Sequence, residues 1–150
     1  MKKEFETLKN FLDEKGVQYK TSTHPRVHTS EEAARVREVP LKSGVKALVV
    51  KSNEAYFMIL VPGDKKMDFN KLGLGKVRLA DPKIVLRITG CEIGSVHPFG
   101  NLFHLPVLMD QQILENESVN FSAGTHEDSI NMDPKDIVKA VNPKMGDYTQ

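Results

Sequence analysis

The chain has one cysteine and no tryptophan in 150 residues. Cys91 has no internal partner, which excludes an intramolecular disulfide and any CxxC zinc or redox pair. That usage leads to the expectation of a reduced, cytoplasmic setting. The first residues, Met1-Lys2-Lys3-Glu4-Phe5-Glu6, are charged and lack the apolar centre of a secretory signal. Long apolar runs are missing too. The longest, Ala55 to Val61, has seven residues, against about 20 for a membrane-spanning helix. The net charge is only +1, which excludes a polycationic or acidic-tail protein by bulk charge. Phosphate-loop, GxGxxG, HExxH and GxSxG signatures are all absent. Pro25 separates His24 from His28, and His97 and His104 stand in a proline-containing loop, so zinc would need ligands that this spacing does not supply. No metal and no cofactor is expected.

What is present describes an ordinary globular chain, 39% hydrophobic and 27% charged. One domain is the expectation at this length, burying roughly two-thirds of the unfolded surface. The charge is unevenly distributed. Residues 42–87 carry ten Lys/Arg and four Asp/Glu, whereas residues 88–138 carry one Lys and eight Asp/Glu. A basic middle suits an anionic partner such as RNA, or internal pairing between the two stretches.

Phe5, Leu8, Phe11 and Leu12 recur at helical spacing ahead of Gly16, predicting a helix over 3–15. Residues 17–21 read as a short strand. Thr29-Ser30-Glu31-Glu32 is a capping box for a helix reaching about residue 38. The apolar runs 45–50 and 55–61 predict a hairpin joined by residues 51–54. Asp68 caps a short helix through Leu72. Asp81-Pro82 and Asp133-Pro134 each place a cap residue before an N1 proline, starting helices at 82 and 134. Residues 107–109, 119–122 and 129–132 read as strands, and Pro143 leaves a polar tail. The pattern is mixed α/β, with strands scattered among short helices.

Several side chains are candidates for chemistry. Cys91 follows the end of a helix, where the dipole disfavours a thiolate, and reads as a small hydrophobe. Lys46 opens an apolar strand. It is either a solvated edge charge or a fixed cation for a phosphate or oxyanion. The loop Gly94-Ser95-Val96-His97-Pro98-Phe99-Gly100 lets a ligand approach the backbone, whose N–H groups can hold an oxyanion. Gly124 reads as a turn residue, and His126 beyond it as a solvated one.

In series, these stretches resemble the YbaK/prolyl-tRNA synthetase-associated domain family of free-standing and fused aminoacyl-tRNA deacylases. The matching pieces are residues 29–34, 44–51, 86–100 and 122–130, then Asp133-Pro134-Lys135-Asp136-Ile137. The resemblance implies a mixed, mostly antiparallel sheet surrounded by helices, with a cleft for the 3′ CCA end of a mischarged tRNA. It implies that Lys46 is the functional lysine, that Gly94 and Pro98 form a GxxxP motif running into Phe99-Gly100, and that Ser122 and Gly124 form a substrate-pocket turn. His97, His126 and Ser129 fall beside these motifs and join the substrate-binding candidates. The implied reaction is hydrolysis of an ester to a small amino acid, in trans-editing, by an oriented water or ribose hydroxyl. The implied partners are mischarged tRNA and an aminoacyl-tRNA synthetase, with no membrane and no DNA. A catalytically silent relative that binds tRNA or a synthetase is the alternative. Ala47 departs from the polar residue that some members carry beside the lysine, so the resemblance does not specify the amino acid.

Overall fold

The computed structural model describes residues 2–150. Helix α1 (Lys3–Lys15) buries Phe5, Leu8 and Leu12 and stops where Gly16 turns left-handed, at φ 69°. Strand β1 (Tyr19–Thr23) lies two residues beyond its predicted position, because Val17 packs against the core below it. In α2 (Ser30–Arg37) both halves of the capping box form: Glu32 N–H donates to Thr29 Oγ1, and the Glu32 carboxylate accepts from Thr29 N–H. The hairpin β2 (Val45–Ser52) and β3 (Ala55–Pro62) turns on Asn53 and Glu54 alone, with Asn53 at φ 56°. Lys51, expected in the turn, is strand. The chain continues through β4 (Val77–Leu79), α3 (Pro82–Thr89), β5 (Val107–Asp110), β6 (Val119–Ser122), β7 (Asp128–Met132), α4 (Pro134–Val141) and β8 (Lys144–Gly146). Single 3-10 turns occupy Leu41–Ser43, Phe69–Leu72, Gly100–Phe103 and Gln111–Glu115.

The mixed α/β class holds, but the strands divide into two sheets where one was expected. The smaller is antiparallel, in the order β1-β7-β6. The larger runs β4-β2-β3-β5-β8, antiparallel from β4 to β3 and parallel from β3 to β8. The two meet at one bridge, Gly44 to Asn120. Gly63 crosses there so closely that a Cβ would lie 2.6 Å from the Leu41 carbonyl oxygen, and its N–H donates to Gly44 O at 2.8 Å.

β3 reads as one unbroken apolar run because both of its faces are covered. Met58 and Leu60 enter the main core with Leu8, Phe99, Phe121 and Ile130. Ile59 and Val61 enter a second cluster with Val50, Leu108 and Tyr148. Phe99 anchors the main core edge-on to Phe11 and Phe121, at 5.7 and 5.8 Å between ring centroids.

The expected polar tail is a correction. Residues 144–146 pair in parallel with β5, and Tyr148 and Thr149 are buried behind them. The segment closes the edge of the larger sheet and satisfies a buried carboxylate, since Asp110 accepts from Tyr148 N–H at 2.8 Å.

Candidate active site

A cavity of about 220 Å³ opens between α2 and β2. Ala33, Ala34 and Arg37 of α2 form one wall, and Lys46, Ala47 and Leu48 of β2 form the facing one. Gly94, Val96 and Ser122 close the end nearest the smaller sheet, while Leu79 and Ile93 stand half exposed on its lining. The lining is largely apolar and carries no acidic side chain among the described residues, but it does carry Lys46, Arg37 and His28.

Lys46 is half-buried, and its ammonium donates to the Lys65 carbonyl in the loop after β3. Burial lowers its pKa from the ordinary lysine value. Glu31 and Asp64 oppose that shift and Lys66 adds to it. The lysine is therefore aimed by the neighbouring loop rather than left waving at a sheet edge.

The glycine loop separates into two parts. Gly94 lines the cavity at φ 88°, and a Cβ there would stand 3.4 Å from His126 Cε1. Gly94 and Val96 both lack an acceptor for their N–H among the described residues. The remainder of the loop faces inward. Phe99 N–H donates to His97 Nδ1 at 3.2 Å, and Gly100 N–H donates to Pro98 O at 3.0 Å. Pro98, Phe99 and Gly100 are buried away from the cavity lining. His97 is 1% exposed and stacks on Phe103 at 4.6 Å. Burial pushes its pKa down to about 3, so it is a neutral core residue. His97, Pro98, Phe99 and Gly100, expected to bind substrate, lie behind the loop and outside the cavity lining.

The turn after β6 divides in the same way. Ser122 lines the cavity. Gly124 does not: its N–H donates to Ser95 O at 2.9 Å, and a Cβ there would lie 3.0 Å from Glu4 Cβ in α1. Its φ of 93° and that close approach require glycine for packing. His126, expected in solvent, is buried. Nδ1 lies 3.0 Å from the Val27 carbonyl, which places a proton on Nδ1, and Nε2 lies 3.5 Å from Glu92 Oε1. Its pKa is lowered by burial first and by Arg26 next. Its ring tilts against His28, which lines the cavity, at 5.0 Å between centroids.

Ser129 lies outside the lining but touches a residue inside it. Arg37 Nε donates to Ser129 Oγ at 2.9 Å, and Ser129 Oγ lies 2.7 Å from His24 Nε2. Arg37 escaped the sequence reading because a basic residue in the last turn of a helix ordinarily complements the dipole in solvent. Cys91 is buried outside the lining, and burial pushes its thiol up to about 12, with Glu4 adding to the shift. Among the described residues no group of three or more His, Cys, Asp or Glu is placed to hold a metal ion, and no helix is long and apolar enough to cross a membrane. Nor does any Lys or Arg of 42–87 pair with an acid of 88–138 among those residues; Lys71 reaches Asp147 instead.

A cationic, apolar-walled cavity closed by a glycine loop, on two bridged sheets, defines a class. The family model of the aminoacyl-tRNA editing domain matches residues 24–140, and the chain belongs to that family. It is 27% identical over 146 residues to the multifunctional Ser/Thr-tRNA deacylase ProXp-y of Escherichia coli K12, covering 91% of this chain and 87% of that one. It is 34% identical over 93 residues to the proline–tRNA ligase of Thermosipho melanesiensis, covering 59% of this chain but 16% of the ligase. A crystal structure described as a putative trans-editing enzyme for prolyl-tRNA synthetase superposes with a TM-score of 0.89 at 26% identity, covering 98% of this chain and 97% of that one.

Proposed function

We propose that the protein is a trans-editing aminoacyl-tRNA deacylase that hydrolyses the ester of a tRNA mischarged with a small amino acid. The observation that carries this reading is the cavity, with Lys46 on one wall and two unengaged backbone N–H groups at its end. At about 220 Å³ it falls below the roughly 300–1,000 Å³ of sites that enclose a drug-sized ligand. A short acyl group with part of a ribose suits that space, and a large side chain is rejected by size.

The ester is already activated, so catalysis needs orientation more than a nucleophile. Cys91, outside the lining with its thiol held protonated, is not used. A water held near Ser122, or the neighbouring ribose hydroxyl acting on it, adds to the carbonyl carbon. The N–H groups of Gly94 and Val96 stabilise the developing oxyanion, each worth about 3 kcal/mol. The ester C–O bond then breaks, releasing amino acid and the ribose hydroxyl. Lys46 positions the acylated end by its charge. The basic charges of 42–87, unpaired with the acidic stretch, suit an RNA partner, and a synthetase that delivers the mischarged tRNA is a second partner of this reading.

The test is amino-acid release from a panel of mischarged tRNAs, with Lys46→Ala beside the wild type. Hydrolysis of a small amino acid that falls at least a hundredfold in the variant, with an unchanged circular dichroism spectrum, is the expected result. Equal rates would remove Lys46 from the mechanism. No release from any tRNA, with tRNA binding intact, would favour a silent binding relative.

A further inference from the structure

Arg37 is a guanidinium inside a cavity with no carboxylate within ion-pairing distance among the described residues. Its Nε is occupied by Ser129, and no side-chain nitrogen or oxygen is buried without a partner among the described residues, so the two terminal nitrogens of this lining residue remain accessible. Hydrogen bonds hold it from behind. His24 Nδ1 lies 2.9 Å from the Pro25 carbonyl, which accepts only, so Nδ1 carries the proton. Ser129 Oγ lies 2.7 Å from His24 Nε2 and accepts from Arg37 Nε at 2.9 Å. The guanidinium plane is thereby held from its Nε edge, with its remaining donors presented as a fork. Burial lowers its pKa to about 10, the mark of a cation kept in a partly dry place without a counter-ion.

We propose that Arg37, oriented by Ser129 and His24, is the binding site for a backbone phosphate at the 3′ end of the RNA. This rests on the deacylase reading. Within that substrate the choice of anion is narrow. The ester is neutral and the α-amino group is cationic, so two cations in the cavity repel the amino acid's only charge. The anions of the acylated end are its phosphodiesters, whose geometry fits a guanidinium fork. The free amino acid's carboxylate exists only after hydrolysis.

The experiment uses an uncharged RNA hairpin ending in CCA, a probe with no amino acid, titrated at several salt concentrations. Wild type, Arg37→Gln, Arg37→Lys and Ser129→Ala are compared, and each is checked by thermal melting. Arg37→Gln is expected to bind at least tenfold more weakly, and the slope of log affinity against log salt should flatten by about 0.7, the share of one single-strand phosphate. Arg37→Lys and Ser129→Ala keep the charge and lose the fork or its brace. They should retain the slope while losing affinity. If Arg37→Gln does not fold, wild-type affinity in the other two variants overturns the proposal. A folded Arg37→Gln with unchanged affinity and slope overturns it as well and leaves the deacylase reading standing, even where hydrolysis falls, since Arg37 then serves the acyl group. Wild-type protein that fails to bind the hairpin but still releases amino acid from whole mischarged tRNA overturns this inference alone; failure of both overturns the two readings together.

Discussion

His97 and Lys46 are both polar residues set among apolar neighbours, and their surroundings assign them opposite tasks. Lys46 keeps its ammonium at a loop carbonyl beside the cavity. His97 keeps its ring in the core, with Phe99 N–H donating to Nδ1. Since its folded pKa is held at about 3, against about 6.5 in an unfolded chain, the unfolded state binds more protons between those values. Stability from this group is full above pH 6.5 and is lost as pH falls toward 3, at up to about 1.4 kcal/mol per pH unit. Urea midpoints measured from pH 7 to pH 4 should fall. His97→Asn should lower stability at pH 7 through lost ring packing but flatten this slope, because it has no proton to take up. An unchanged slope would show that other groups govern acid unfolding. Cys91 was legible as a small buried hydrophobe because the helix end before it is a local signal, whereas the residues alone left Lys46 open between a solvated edge charge and a fixed cation. Arg37 drew no expectation, since what separates it from His97 is which one lines the cavity, and that depends on contacts far away in sequence, such as Arg37 with Ser129, 92 residues on.

At the scale of elements, α2 joins local sequence to the site most directly. Its capping box fixes where the helix begins, and so where Ala33 and Arg37 stand on the cavity wall. Thr29→Ala should cost about 1 kcal/mol, roughly 2–4 °C in melting temperature for a chain of this size. It should also raise KM for mischarged tRNA more than it lowers kcat, because the wall shifts while the Gly94 loop stays. Calorimetry and steady-state kinetics check the two parts separately. Helices bounded by such caps, and the β2–β3 hairpin, were legible in the sequence because their signals lie within a few residues. β4 and β8 were not. Each has three residues, mostly exposed or half-exposed, too short for any periodicity. They become strands only because β2 and β5 offer open edges. The division into two sheets was hidden for a similar reason, since it hangs on the close crossing of Gly44 and Gly63 beside Asn120.

For the molecule as a whole, the C-terminal segment acts as a clasp. Residues 144–146 pair with β5, Tyr148 is buried beyond them, and the segment ties the loop after β3 through Asp68 N–H to Tyr148 O and Gln150 N–H to Lys66 O. Deleting 144–150 should lower unfolding free energy by about 3–5 kcal/mol, from lost tyrosine burial and unmet partners of Asp110. That is a large share of the roughly 5–15 kcal/mol typical of a domain. A urea midpoint equal to that of the full chain would show that the clasp is dispensable. Because the same loop holds the Lys46 ammonium through Lys65, activity should fall in the shortened chain even where it remains folded.

The pairing of β1 with β7, Tyr19 opposite Met132 and Thr23 opposite Asp128, also has a meaning in time. A ribosome makes the first strand long before the seventh, so β1 and the helix ahead of it must wait through more than 100 residues of synthesis for their partner. The turn that carries Ser122 and the bond between Arg37 and Ser129 are completed only then. The β2–β3 hairpin, whose strands are neighbours, can close early. The lysine wall of the cavity is thus built first and the Arg37–Ser129 bond last, and a nascent chain completes the cavity only after residues 128–132 have been made.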